Sequence, residues 1–205
     1  MKPSPKPASQ SLADESAVAL LDAARHLLET EGLPALTVRR VADAAGCTTM
    51  QVYSRFGGKE GLLGALFDEG FALLAQAQQA VPANLPPAER VWQLCGQYLN
   101  VARQHPHHYA LMLGGHSAGF EPPPESREQA MRTLMHLVDA VEQALPASPQ
   151  RRAQAELTAR QLVAYCHGWA TLAPMGLAHP TQDHASAAQV VRALLGAAGL
   201  ELRSI

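Results

Sequence analysis

The chain has 205 residues, a formal net charge of −2 at pH 7 and 47% hydrophobic residues, of which few are aromatic. This length supports one large domain or two modest ones. The small net charge excludes a protein that is basic all over, so any nucleic-acid surface must be local. No apolar run could span a membrane and no signal peptide is evident, so we expect a cytoplasmic protein without a membrane partner.

The chain begins with MKPSPKPASQ, in which alternating prolines prevent regular structure. We expect residues 1–12 to form a disordered tail, whose two lysines are either a basic arm or part of a plain flexible end. The first helix is predicted from about residue 13 to residue 31, where apolar residues recur at helical spacing. These residues are Leu20, Leu21, Ala24, Leu27 and Leu28.

The stretch LTVRRVADAAGCTTMQVYSRFGGKEGLL, residues 36–63, predicts two short helices joined by a tight turn. Thr37 and Thr48 can cap the two helices, and Gln51 makes the second start a possible capping box. Gly46 stands at the turn, where a residue without a Cβ adopts a left-handed conformation cheaply. Small residues in the first helix let the second cross it closely, as in a helix-turn-helix.

The second short helix carries hydroxyls, an amide and a phenol near its N-terminal end, where a recognition helix meets base edges. Basic residues around it could neutralise phosphates and fix the docking register. We expect Thr37 and Lys59 to contact phosphates. The alternative for this pattern is a buried two-helix corner in another all-helical protein. The predicted DNA-binding residues are Thr37, Arg39, Thr48, Thr49, Met50, Gln51, Tyr53 and Lys59.

The same stretch resembles the tetracycline-repressor (TetR) family of bacterial transcriptional regulators. The shared pattern is Leu36-Thr37-Val38, Val41-Ala42, Ala45-Gly46, Thr48, Val52-Tyr53, Phe56, Lys59-Glu60 and Leu62-Leu63. Cys47 departs from the usual valine, and Gly57-Gly58 stands where one more polar residue is usual. The resemblance implies a homodimeric, repressor-like protein that binds a palindromic double-stranded DNA operator and whose C-terminal domain binds a small effector.

The rest of the chain predicts further helices and almost no sheet. Residues 13–58 are expected to form the helix-turn-helix DNA-binding domain, residues 59–81 a connecting helix, and residues 82–205 an effector-binding and dimerisation domain that begins at a group of prolines. Its helices are predicted at about 88–104, 107–113, 125–145, 150–177 and 184–198, and Met131 is expected to face inward in the third of them. The fold class is therefore all-α, with about nine helices.

The effector cavity is expected between the fourth and eighth helices, where the inner faces carry few charges and favour an apolar or aromatic ligand. Each aromatic or methionine residue there is equally compatible with ordinary core packing. The candidate effector-binding residues are Trp92, Tyr98, Tyr109, Met112, Phe120, Met135, His136, His167 and Trp169.

The last two helices carry more apolar surface than one core needs, which favours a four-helix bundle across a two-fold axis over a monomer with a large core. The predicted dimer-interface residues are Leu162, Tyr165, Cys166, Trp169, Val190, Val191, Leu194 and Leu195.

No motif of the sequence indicates an enzyme, a cofactor or a metal site. His107 and His108 are adjacent and point about 100° apart on a helix, and no acid lies near them in the sequence. The three cysteines are more typical of buried apolar side chains than of a thiol sensor.

Taken together, these patterns and the resemblance lead us to expect a ligand-responsive transcriptional repressor. The alternative is a helical small-molecule-binding or interaction protein without operator binding.

Overall fold

The computed structural model of the protein describes residues 8–113, 119–176, 191–193, 195–197 and 199, with side chains from Glu15 onward. These residues form helices, turns and loops with no strand among them, which confirms the all-α fold. Residues 191–193 and 195–197 are also helical. The helices are α1 (Ala8–Glu31), α2 (Val38–Ala44), α3 (Thr49–Phe56), α4 (Lys59–Gln79), α5 (Pro87–Gln104), α6 (Pro106–Leu113), α7 (Pro124–Ala144) and α8 (Arg151–Leu172).

Two predicted helix ends need correction. Helix α1 begins at Ala8, so the predicted tail of residues 1–12 is too long. The reason is that the last tail proline is Pro7, after which nothing prevents a helix. Helix α8 ends at Leu172 instead of residue 177, because Pro174 lies in a 3-10 turn over Ala173–Met175. Residues 1–7 and residues 184–190 of the last predicted helix lie outside the described residues.

The first of two compact units consists of residues 1–70 and 105–126. Within it, α1 packs against α2, α3 and α6. The predicted apolar stripe of α1 is confirmed for all members except Leu21, which is half-buried. The fully buried side chains of this unit include Leu20, Leu28, Leu36, Val41, Val52, Leu62 and Leu66. The unit is thus a small helical core that holds the two short helices on α1.

The second unit consists of residues 71–104 and 127–205. Helix α5 packs against α8 in its core. Helix α4 contributes to both units, since residues 59–70 belong to the first and residues 71–79 to the second. The buried side chains of the second unit include Val91, Leu94, Val138, Val141, Leu162, Val191 and Leu195.

The prediction that Met131 faces inward is wrong, because 51% of this residue is exposed. The buried face of α7 runs through Thr133, Leu137 and Val141. Met131 lies about 200° around the helix from Thr133, on the opposite side. The prediction failed because a methionine is compatible with either face.

Candidate nucleic-acid interface

Helix α2 begins at the cap that the sequence predicts. The Thr37 hydroxyl accepts a hydrogen bond from the backbone N–H of Arg40 at 3.3 Å, which leaves its own proton free to donate to a phosphate. Val41 and Ala42 are buried and anchor the helix. Gly46 takes a φ of 64° at the turn, a left-handed conformation that suits glycine.

Helix α3 begins with a complete capping box. The Thr48 hydroxyl accepts from the backbone N–H of Gln51, and the backbone N–H of Thr48 donates to Gln51 Oε1 at 2.8 Å. These bonds fix the angle at which α3 leaves the turn. They also occupy Oε1 of the Gln51 side-chain amide, so this side chain would have to leave the capping box to pair bidentately with an adenine.

The remaining α3 side chains divide between core and solvent. Val52 is fully buried, whereas Met50 is 73% exposed and Tyr53 is 56% exposed. Thr49 is exposed beside them. Exposed large apolar side chains one turn apart on a firmly anchored helix are typical of a surface that contacts a partner. The structure therefore brings Thr49, Met50 and Tyr53 together on the solvent face.

Basic side chains flank this face with different degrees of pairing. The Arg39 side chain is 88% exposed and lies 3.9 Å from Asp43. Arg40 pairs at 2.6 Å with Glu31, and this hydrogen bond lowers the pKa of Glu31. Lys59 is exposed at the first position of α4. Arg39 and Lys59 are thus better placed than Arg40 to meet a phosphate, since an acid already holds Arg40.

The candidate effector residues fall in both units. Tyr109, Met112 and Phe120 are buried in the first unit, where Phe120 packs edge-on against Phe67 at 6.1 Å between ring centroids. The other six belong to the second unit. There Tyr98 is buried, and the half-buried residues are Trp92, Met135, His136, His167 and Trp169. The Arg192 guanidinium lies 5.5 Å from the centroid of the Trp92 ring, a cation–π distance.

His136 is the polar member of the second-unit group whose surroundings are best defined. Its Nε2 is buried and has no hydrogen-bond partner. Burial, followed by the charge of Arg90, lowers the pKa of His136, so the ring is neutral at pH 7. A neutral imidazole can donate or accept a hydrogen bond, which suits a ligand with a single polar group.

The predicted dimer-interface residues require a correction. Four of them, Leu162, Cys166, Val191 and Leu195, are at most 1% exposed within a single chain, so their side chains belong to its own core. Helical periodicity identified them as apolar but could not tell whose surface covers them. Tyr165 and Trp169 are half-buried and pack 6.4 Å apart, while Val190 and Leu194 lie outside the described residues.

The predicted dimer-interface residues do not include the apolar side chains that α8 leaves exposed. Leu157 is 58% exposed, Leu172 is 46% exposed, and Met175 in the following turn is 70% exposed. Within α8, Leu157 and Leu172 lie on one face with the exposed Gln161 and Ala164, because the successive spacings of four, three and eight residues are close to whole helical turns. The signal was present as a second stripe beside the buried one, but nothing in the sequence said which stripe faces solvent.

The fold and the exposed face of α3 define a helix-turn-helix protein with a second helical unit. Residues 20–66 match the family described as bacterial regulatory proteins, tetR family, and residues 91–195 match the tetracyclin repressor-like C-terminal domain. The chain therefore belongs to the TetR family. As a member of this family it is a DNA-binding transcription regulator and not an enzyme.

Solved structures share the fold over nearly the whole chain. A protein of unknown function from Rhodococcus sp. RHA1 is 26% identical with a TM-score of 0.69, covering 91% of this chain and 96% of its own. The TetR regulator SCO7222 from Streptomyces coelicolor is 21% identical with a TM-score of 0.64, covering 90% and 98%. The TetR family transcriptional regulator PfmR from Thermus thermophilus is 18% identical with a TM-score of 0.60, covering 91% and 96%. No curated protein sequence matches the chain.

Across the described part of the chain, every helix is either too short or too polar to cross a lipid bilayer.

Proposed function

We propose that the protein is a homodimeric repressor that reads a palindromic operator through α3 and leaves it when a small apolar or aromatic effector binds. The observation that carries the proposal is the division of α3, in which Val52 is fully buried while Met50 and Tyr53 are largely exposed. Such a helix is held rigidly and still offers a face to the major groove. Because the partner is the chromosome, we also propose that the protein acts in the cytoplasm.

The exposed α3 face supports the following DNA-contacting roles. Thr49, Met50 and Tyr53 would meet base edges, with the threonine and methionine methyl groups suited to thymine. Phosphates would be met by Arg39, Lys59 and the free proton of the Thr37 hydroxyl. In this arrangement Thr48 and Gln51 act first as the cap that orients α3, and any direct base contact by them is secondary.

Two substitutions test this docking once an operator has been selected from genomic fragments. Tyr53→Ala should cost about 1–3 kcal/mol of operator binding and reduce the preference over unrelated DNA, because a base contact is lost. Lys59→Ala should weaken binding to all DNA and reduce the slope of log K against log salt by about 1, because one phosphate contact is lost. Fluorescence anisotropy over a series of salt concentrations measures both effects.

The matched control is Met131→Ala, since Met131 is also a large exposed side chain but lies in the second unit. It should bind the operator like the wild type. If Tyr53→Ala and Lys59→Ala also bind like the wild type while remaining folded and dimeric, the docking through α3 is wrong.

The exposed face of α8 supports the homodimer. Helix α8 presents a largely apolar stripe that the single chain leaves uncovered. It consists of Leu157, Ala164 and Leu172 with the polar Gln161 among them, and the half-buried Tyr165 and Trp169 lie along its side. In a two-fold pairing this stripe would meet its own copy. Leu157→Glu should therefore produce monomers, because two like charges would face each other in a desolvated interface.

Light scattering after size-exclusion chromatography gives the mass of each species. Val18→Glu is the control, because Val18 is 60% exposed in the first unit and should leave the mass unchanged. A dimer that survives Leu157→Glu would place the interface elsewhere.

For the effector we propose the second unit, with His136 as the polar contact and with Tyr98, Trp92, Met135, His167 and Trp169 as further candidate contacts. The support is the buried Nε2 of His136 without a partner. A thermal-shift screen of small aromatic molecules, repeated as release of bound operator, tests this proposal. A true effector should lose its effect in His136→Phe, which keeps the ring volume and removes both nitrogens.

A further inference from the structure

Folding brings two histidines and a glutamate together in the first unit. Glu29 comes from α1, His108 from α6, and His105 directly precedes α6. Each offers a ligand atom, and these atoms all lie within 4.8 Å of one another. Because His105 and His108 are three residues apart, one helical turn places them on the same side. We call Glu29, His105 and His108 the histidine–glutamate cluster.

His108 is the member of the cluster whose buried nitrogens lack hydrogen-bond partners. Only 1% of it is exposed, and neither Nδ1 nor Nε2 has a hydrogen-bond partner. Buried polar atoms are normally paired, because leaving them unpaired costs free energy. Nε2 lies 3.3 Å from Oε1 of Glu69, but without hydrogen-bond alignment. Glu69 itself is held by Arg25, which donates to it from Nε and a terminal nitrogen.

We propose that the histidine–glutamate cluster is a binding site for a divalent transition-metal ion of the zinc type. Two imidazole nitrogens and one carboxylate are a donor set that zinc prefers, and they leave a fourth position for water. Glu69 is the natural partner for the second nitrogen of His108. A carboxylate there fixes the tautomer of a ligating imidazole and strengthens it as a ligand.

The cluster needs only a small contraction to hold an ion. Donor atoms around a tetrahedral zinc, with bonds of about 2.0–2.1 Å, are about 3.3 Å apart. The present separations reach at most 4.8 Å. Glu29 is exposed and can rotate toward the two imidazoles at little cost, whereas His108 is already fixed by burial.

Binding at this place would have a defined structural effect. The ligands come from α1 and from the start of α6, so the ion would tie these two helices together. Helix α1 also packs against α2 and α3. An ion bound here would therefore stabilise the unit that carries the DNA-contacting helix. This inference goes beyond the proposed function, because operator binding through α3 does not require it.

The test uses the full-length protein after treatment with a chelator that is then removed. Isothermal titration with Zn²⁺ should show one site per chain, and bound Co²⁺ should give the strong visible absorption of tetrahedral coordination. Glu29→Gln and His105→Ala should each weaken Zn²⁺ binding by at least about 10- to 100-fold. Zn²⁺ should also raise the melting temperature of the wild type but not of these variants.

His107→Ala is the matched control, because it removes a neighbouring imidazole that is not part of the cluster. It should bind Zn²⁺ and Co²⁺ like the wild type. Glu29→Gln changes an exposed side chain, so the variant should fold and melt like the wild type without metal. The proposal is overturned if the wild type takes up no Zn²⁺, if Glu29→Gln binds it equally well, or if His107→Ala weakens binding as much as His105→Ala.

Discussion

Helix α4 contains three glycines whose replacement by alanine should have three different results. A Cβ at Gly61 would lie 1.6 Å from the carbonyl oxygen of Phe56, which is backbone at the end of α3. A Cβ at Gly64 would meet nothing within 4 Å. A Cβ at Gly70 would lie 2.5 Å from the sulfur of Met112, which is part of a flexible side chain.

The magnitudes follow from what must move. Alanine in place of glycine favours a helix by up to about 1 kcal/mol, so Gly64→Ala should stabilise the protein by up to that amount. Gly61→Ala forces the backbone of α3 away from α4, and overpacking of this kind should cost about 3 kcal/mol. Gly70→Ala should be nearly neutral. The flexible Met112 side chain can turn aside, and the small free-energy cost of that movement should offset the gain in helix propensity.

Differential scanning calorimetry measures these changes. For a chain of this size 1 kcal/mol shifts the melting temperature by about 2–4 °C, so Gly61→Ala should melt about 6–12 °C lower. Operator affinity should fall with it, because the end of α3 is displaced. A Gly61→Ala protein that melts at or above the wild-type temperature would refute the close approach of α4 to Phe56.

Two further predictions concern titratable side chains. Burial, and then Arg90, lowers the pKa of His136 below its ordinary 6.5. The unfolded chain therefore binds more protons just below pH 6.5, and stability falls as the pH falls. Urea unfolding should show this loss, and His136→Gln should reduce it; an unchanged pH dependence would argue against a buried neutral ring. The hydrogen bond that the Cys95 thiol donates to Cys166, together with burial, raises the pKa of Cys95. A thiol reagent should therefore modify the half-buried Cys47 long before Cys95 or Cys166. Equal rates for all three in the native protein would contradict this burial.

The sequence was sufficient for the features that depend on neighbours along the chain. Caps, prolines and apolar spacing predicted most helices, including the capping box at Thr48 and the buried Val52. These features depend on bonds and packing within a few residues, so local chemistry determines them. The end of α8 was predicted too late, because the sequence pattern did not show that the chain leaves the α-helix for a 3-10 turn at Pro174.

The sequence was not sufficient where distant parts of the chain meet. Periodicity placed Leu162 and Cys166 on an apolar face of α8. Only the fold shows that this face is buried within the same chain, where α8 packs against α5, and not by a second copy. The acid that joins His105 and His108 lies in α1, far away along the chain, so the histidines appeared isolated in the sequence. Contacts of this kind depend on how helices pack, which a single sequence does not reveal.

The division of α4 between the two units, and the return of the chain to the first unit at α6, have a consequence for engineering. The first unit is built from two separate stretches, residues 1–70 and 105–126, and its boundary at residue 70 falls inside a continuous helix. A fragment cut at residue 58 would lose Leu62 and Leu66, which are buried in that unit, together with the whole of α6. A chimera that joins this first unit to the second unit of another regulator therefore needs three junctions, near residues 70, 104 and 126.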